Sequence, residues 1–69
     1  MSDHVYKMVD VVGSSKVSIE DAIEQAIARS SKSISNVEWF QVSEVRGHVS
    51  DGKVGHYQVI LKIGFRLEE

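Results

Sequence analysis

The chain has 69 residues, a formal net charge of -2 and no cysteine. A domain of this length buries only about 60% of the surface that its unfolded chain exposes, so a lone copy has a marginal core. The missing cysteines exclude disulfides and thiolate zinc sites, which leaves association between copies as the expected source of extra stability. The slight negative charge and the scattered Lys and Arg residues argue against a nucleic-acid partner.

The apolar pattern also argues against a membrane or secreted protein. Charged residues interrupt every apolar stretch before the roughly 18 residues that a membrane span requires. The first residues, Met1 to His4, lack the basic and apolar regions of a signal peptide. We therefore expect a cytoplasmic protein without a membrane partner, and the missing cysteines fit a reducing compartment.

The first half of the chain predicts a strand followed by a helix. The run from His4 to Val12 is rich in β-branched residues, and Gly13-Ser14-Ser15 has the composition of a turn that ends a strand. Ser18 and Asp21 approximate a capping box, and apolar residues then recur near helical spacing. An amphipathic helix is predicted over 18–32.

The second half predicts a long β-hairpin. The strands run from Val37 to Val49 and from Lys53 to Leu67, and Ser50-Asp51-Gly52 forms the tight turn between them. The last strand alternates apolar and mixed positions, which gives it one face suited to cover the helix. The predicted fold class is α+β, a two-layer β1-α-β2-β3 domain whose antiparallel sheet has the order 1-3-2.

The predicted sheet is longer than its helix. Fifteen helical residues span about 22 Å, whereas fifteen strand residues span about 50 Å. The uncovered apolar row and the free strand edges would be an aggregation hazard in a monomer. The sequence therefore predicts self-assembly.

Trp39 is the strongest candidate for a binding residue. It is the sole tryptophan. Neighbouring strand residues point to opposite faces, so if Phe40 and Val42 join the helix-facing core, Trp39 and Gln41 lie on the side away from the helix, together with Gln58. A planar heteroaromatic ring stacked on an indole gains on the order of 1–3 kcal/mol. The amide of Gln58 offers a donor and an acceptor to a pyrimidine-like edge. The alternative is that Trp39 only anchors a protein interface.

Several short strings, in this order and at this length, resemble the bacterial dodecins. The resemblance covers nearly the whole chain, so residues 1–69 are interpreted as a single dodecin-like domain. The strings are Val11-Val12-Gly13-Ser14, Asn36-Val37-Glu38-Trp39-Phe40, Val45-Arg46-Gly47-His48, His56-Tyr57-Gln58-Val59 and Gly64-Phe65-Arg66-Leu67-Glu68.

The resemblance implies a hollow spherical homododecamer that stores or buffers flavin. Flavin mononucleotide (FMN) or riboflavin would lie as stacked pairs between tryptophans at each two-fold interface, with Trp39 as the stacking residue, and the flavin would be quenched. By the same resemblance Gln58 binds the pyrimidine edge, Arg46 and Arg66 hold the polar tail, and coenzyme A is a further possible ligand.

Strand geometry limits the transfer of these roles. In a regular strand the side chains of Arg46 and Trp39 point to opposite faces of the sheet. Arg66 lies eight residues, roughly 26 Å, from Gln58. Either a bulge near Gly47 reorients Arg46, or the arginines reach the ligand from neighbouring subunits. Salt bridging between subunits is the alternative role for both.

No pattern indicates an enzyme or a metal site. The spacing of His4, His48 and His56 matches no metal motif, and there is no nucleophile elbow, phosphate-binding glycine loop or helix-borne metal pair. The expected protein is not an enzyme. The main competing hypothesis is a structural or protein-interaction module that assembles without a small-molecule ligand.

Overall fold

The computed structural model describes residues 3–68 and confirms the predicted α+β architecture. Strand β1 spans Tyr6–Ser15, helix α1 spans Ile19–Ser33, and strands β2 and β3 span Val37–Ser50 and Lys53–Arg66. The three strands form one antiparallel sheet in the order β1-β3-β2. Within these residues the helix is too short and too polar to cross a bilayer.

The core lies between the helix and the central strand. Val59, Leu61 and Ile63 of β3 are fully buried, and they meet Ala22 and Ala26 of α1. The helix packs mainly on β1 and β3. We call the helix side of the sheet the inner face, which carries the alternating residues of β3 that the sequence assigned to the core.

Gly13 has a different role from the predicted one. The sequence predicts a turn that begins at Gly13, but β1 continues through this residue to Ser15, and Gly13 pairs with Val59. A Cβ atom at Gly13 would lie 2.2 Å from the backbone oxygen of Ala22 and 3.1 Å from the Cβ of Ala26. The glycine is needed because the helix backbone passes directly over the strand at this point.

The connection from β1 to α1 is a network of short polar side chains. The N-cap residue Ser18 accepts a hydrogen bond from the backbone N–H of Asp21, as the capping box predicted. The reciprocal bond runs through Ser15, whose hydroxyl accepts from the N–H of Ser18 and donates to the Asp21 carboxylate at 2.6 Å. Ser15 is therefore buried but satisfied.

A two-residue turn joins β2 and β3, as the sequence predicted. Asp51 and Gly52 have φ values of 52° and 72°. Positive φ at both central positions is the geometry of a type I′ turn, whose twist matches that of the flanking strands.

Strand β2 is exposed along almost its whole length and is irregular. Only Val37 is partly buried; the other residues of the strand are exposed. The pairing with β3 shifts at three places, where Glu38, Ser43 and, on β3, Gly55 have no opposite partner. The fold is elongated, with extents of 56 × 20 × 13 Å.

Candidate ligand-binding face

The sheet side away from the helix, here called the outer face, carries every sequence-predicted site residue. Trp39 lies opposite Gly64, and Arg46 lies opposite Gln58. Arg66 follows on β3, opposite Tyr6 of β1. These positions alternate with the buried residues of β3, which places their side chains away from the core.

Trp39 lies flat on the backbone of the central strand. A Cβ atom at Gly64 would lie 2.5 Å from Cε2 and 2.8 Å from Cδ2 of the indole. The missing side chain of Gly64 is therefore what lets the ring rest on β3. Because Trp39 remains 40% exposed, one face of the indole is supported and a large aromatic surface is open to a partner.

Tyr6 packs against the indole, and polar contacts connect Tyr6 to Glu38 and Glu38 to Arg66. The ring of Tyr6 meets it edge to face, with centroids 6.3 Å apart and an angle of 68° between the planes. The Tyr6 hydroxyl donates to Oε1 of Glu38, and Oε2 of Glu38 is 3.3 Å from an Arg66 guanidinium nitrogen. Glu38 is the extra residue of the first irregularity in β2, which is how adjacent residues Glu38 and Trp39 contribute to one cluster.

Arg46 reaches the outer face because of a bulge at Ser43. The register moves from Val42 opposite Leu61 to Glu44 opposite Ile60, so Ser43 has no partner. From Glu44 onward, each side chain therefore points to the face opposite to the one it would have in a regular strand. A bulge near Gly47 is one of the two possibilities predicted from the sequence, but Gly47 pairs with Tyr57. A bulge requires no distinctive residue, so the sequence contains no clear signal for its position.

Arg46 and Gln58 form one polar group. Nε of Arg46 donates to Oε1 of Gln58 at 2.9 Å, and Nε2 of Gln58 lies 3.5 Å from the hydroxyl of Ser14. Arg46 is also 4.0 Å from the carboxylate of Glu44, an exposed pair that contributes little by itself. The Gln58 amide keeps a second N–H and a second lone pair for a ligand.

The two groups lie at opposite ends of the outer face. Trp39 is opposite Gly64, which is six residues from Gln58, or about 20 Å at strand rise. Arg66 belongs to the Trp39 end and Arg46 to the Gln58 end. One copy of the chain therefore cannot bring Trp39 and Gln58 to the same ring. This separation extends the expectation from strand geometry that the candidate residues cannot all meet within one regular subunit.

The turn end of the outer face brings together two histidines. His48 lies opposite His56, with ring centroids 5.4 Å apart and 18° between the planes. His4 is at the other end, beside Tyr6. Sequence spacing alone does not reveal this pair, because the two histidines become neighbours only through the pairing of β2 with β3. Across 3–68 there is no group of three or more His, Asp or Glu residues suited to a metal ion.

Comparisons with known proteins agree on one family. The family model described as Dodecin matches residues 5–68. A dodecin from Thermus thermophilus is 48% identical over 65 residues, covering 94% of each protein. The structure of the dodecin from Streptomyces davaonensis has a TM-score of 0.93 at 46% identity and covers 99% of this chain and 100% of that one.

A more distant relative is a calcium dodecin. The calcium chelating immunodominant antigen, calcium dodecin, from Mycobacterium tuberculosis has a novel calcium-binding site. It is 31% identical, with a TM-score of 0.80, and the match covers 93% of this chain and 91% of that protein.

The resemblance found in the sequence is confirmed by the family model, by the relatives with 46–48% identity and by the fold. The chain belongs to the dodecin family.

Proposed function

We propose that this protein is a flavin-binding storage or buffering protein. It sequesters FMN or riboflavin as stacked pairs between copies of Trp39 at the two-fold interfaces of a hollow homododecamer, and it quenches the flavin. The observation that carries the proposal is the indole of Trp39, supported on one side by Gly64 and left 40% exposed on the outer face.

Stacking explains both the affinity and the loss of emission. A planar ring placed on the exposed indole gains on the order of 1–3 kcal/mol. Close contact with an electron-rich indole gives the excited flavin a route back to the ground state without emission. One indole covers only one side of the ring pair and leaves the other side in contact with water. The Trp39 of a second copy is needed to cover that other side.

The separation of Trp39 and Gln58 supports a site built from two or more copies. In an isologous two-fold contact, both copies use the same surface, and every contact between two different residues occurs twice. The Gln58 end of one copy can therefore face the Trp39 end of the other. Gln58 then offers its remaining donor and acceptor to the pyrimidine edge. Arg46 and Arg66 offer positive charge to a phosphate-bearing tail, and the same charges suit coenzyme A.

The test is the emission of FMN titrated with protein freed of flavin. We expect strong quenching that saturates, and Trp39→Ala should remove most of it because it deletes the stacking surface. Trp39→Phe should retain a weaker effect, since a smaller ring still stacks. Glu24→Ala, on the solvent side of the helix, is the matched control and should bind as the wild type does.

Unquenched emission with wild-type protein would overturn the proposed function. The competing possibility of an assembly module without a ligand is favoured by one observation. Apolar residues of β2 and of the turn end of β3 are exposed, among them Val45, Val49 and Val54. These residues suit contacts between copies in either case. A particle of dodecamer mass that is colourless and leaves FMN emission unchanged would establish the module.

The remaining parts of the proposal concern setting and chemistry. We place the protein in the cytoplasm, in keeping with a chain that has no cysteine. We assign it no enzymatic activity, because its expected work is to hold and release a cofactor. Retention of chemically unchanged FMN after prolonged incubation with the protein is the result expected of a storage role.

A further inference from the structure

The His48–His56 pair has the placement of a two-ligand metal site. The two residues lie directly opposite each other on β2 and β3, a position where side chains start from Cβ atoms about 5 Å apart. Their rings face each other at 5.4 Å and are within 18° of parallel. Both imidazoles are thus already held on one side of the sheet, at one point along the hairpin.

The irregularity beside the pair helps to fix its geometry. Gly55 is the extra residue of β3 between the pairs His48–His56 and Val49–Val54. A Cβ atom at Gly55 would lie 3.7 Å from Cδ2 of His48, so the ring of His48 passes over this glycine. Bulges commonly reorient a side chain in this way.

We infer that His48 and His56 together bind one divalent transition-metal ion, with Cu²⁺ favoured and Zn²⁺ and Ni²⁺ also accepted. Imidazole nitrogens bind these ions at about 2.0–2.1 Å, which places two nitrogens of one coordination sphere about 3 Å apart. Since the ring centroids are 5.4 Å apart, both rings must rotate about their side-chain bonds to bring one nitrogen of each to that separation. Water completes the coordination, and the Irving–Williams order places Cu²⁺ first among these ions.

The charges around the pair determine which ions can bind. Arg46 lies one pleat away along β2 on the same face, about 7 Å by strand geometry. Lys16 lines the same shallow concavity as His56. With these cations nearby, an ion must be held by coordination to nitrogen and not by a negative field. Ca²⁺ and Mg²⁺, which require anionic or carbonyl oxygens, should not bind.

The experiment is a Cu²⁺ titration of the 69-residue chain carrying His4→Ala, in which His48 and His56 are the remaining histidines. We expect one Cu²⁺ per chain, with an electron paramagnetic resonance spectrum that shows two imidazole nitrogens. Zn²⁺ should compete and Ca²⁺ should not. Loss of one ligand, in His48→Gln or His56→Gln, should weaken binding by at least about tenfold.

Two results would overturn the inference. One is the lack of saturable Cu²⁺ binding in the His4→Ala protein, and the other is binding that neither glutamine substitution weakens. Circular dichroism and particle mass establish that each variant is folded and assembled. Because the metal ligands do not include Trp39, FMN quenching should persist in these variants, and the inference is tested separately from the flavin proposal.

Discussion

The two halves of the sheet differ sharply in what they need from a partner. On β1 and β3 the helix covers the inner face, and Val59, Leu61 and Ile63 have no exposed surface. On β2 the neighbouring inner-face residues Phe40 and Val45 are 45% and 48% exposed. They belong to the same sheet and lie opposite the buried residues of β3. The difference comes from the helix, which packs mainly on β1 and β3.

This difference indicates that the two halves of the sheet have separate roles. The covered half provides the stability of the fold, and the uncovered half provides surface for contact with other copies. Both halves contribute to the outer face, so ligand binding depends on each. Substitutions that affect one half alone can separate these contributions.

The largest effect is expected in the covered half. Leu61→Ala removes a fully buried side chain from between the helix and the sheet. We expect it to lower the free energy of unfolding by about 2–5 kcal/mol, because it loses burial and leaves a cavity. Urea denaturation followed by circular dichroism measures the change.

Val45→Ala is the matched substitution in the uncovered half. Its cost should depend on protein concentration, because the side chain is covered only where another copy meets β2. The comparison fails if Val45→Ala is as costly as Leu61→Ala at every concentration. It also fails if Leu61→Ala changes assembly without changing the stability of the fold.

An intermediate effect is expected beneath the indole. Gly64→Ala places a methyl group where the ring of Trp39 lies, so the ring must lift from the strand. We expect a loss on the order of 1–2 kcal/mol of stacking free energy, or roughly tenfold weaker FMN binding. The titration of FMN emission measures it.

A double-mutant cycle tests the cause of that loss. In a Trp39→Ala background the added methyl group no longer meets an indole, so Gly64→Ala should have little further effect on ligand binding. If the two substitutions act independently, Gly64 does not act through the tryptophan.

The smallest effect on stability is expected at the connection between β1 and α1. Hydrogen bonds from Ser15 and from Gln25 lower the pKa of Asp21 below its ordinary value of 3.8. A lowered folded-state pKa stabilises the fold fully above pH 3.8, and that stabilisation is lost as the pH falls through the folded-state value. Asp21→Asn should therefore be less stable than the wild type at pH 7.

The difference between Asp21→Asn and the wild type should shrink in acid below pH 3.8. Thermal unfolding over a pH series measures it, with Glu24→Gln on the solvent side of the same helix as the control. A difference that stays constant from pH 7 into strong acid would contradict the role given to the Asp21 carboxylate.

Much of the fold could be predicted because its signals are local. Alternation in β3, helical spacing after Ser18 and the Asp51-Gly52 turn each specify an element within a few residues. The true end of β1 could not be read in this way. Gly13 and the two serines after it are residue types typical of a turn. Only the close approach of Ala22 shows that Gly13 is there to let the helix pack on the strand.

The candidate site was predictable in its residues and less so in its arrangement. Parity alone placed Trp39 on the outer face, and the register confirms this placement. The facing of Arg46 depends on one unpaired residue, Ser43, and no side-chain property distinguishes it. The roles of Trp39, Gln58, Arg46 and Arg66 in binding stay predictions until a ligand is titrated.

The three irregularities of the hairpin also bear on how copies can associate. A straight, exposed edge strand is a template for endless strand-by-strand growth of the kind seen in fibrils. This chain has no proline to block such an edge. The unpaired residues Glu38, Ser43 and Gly55 interrupt the ladder and increase its twist, so β2 does not offer a long flat edge to a next copy. The same bulges that orient Trp39 and Arg46 thereby favour closed, finite association over open-ended polymerisation.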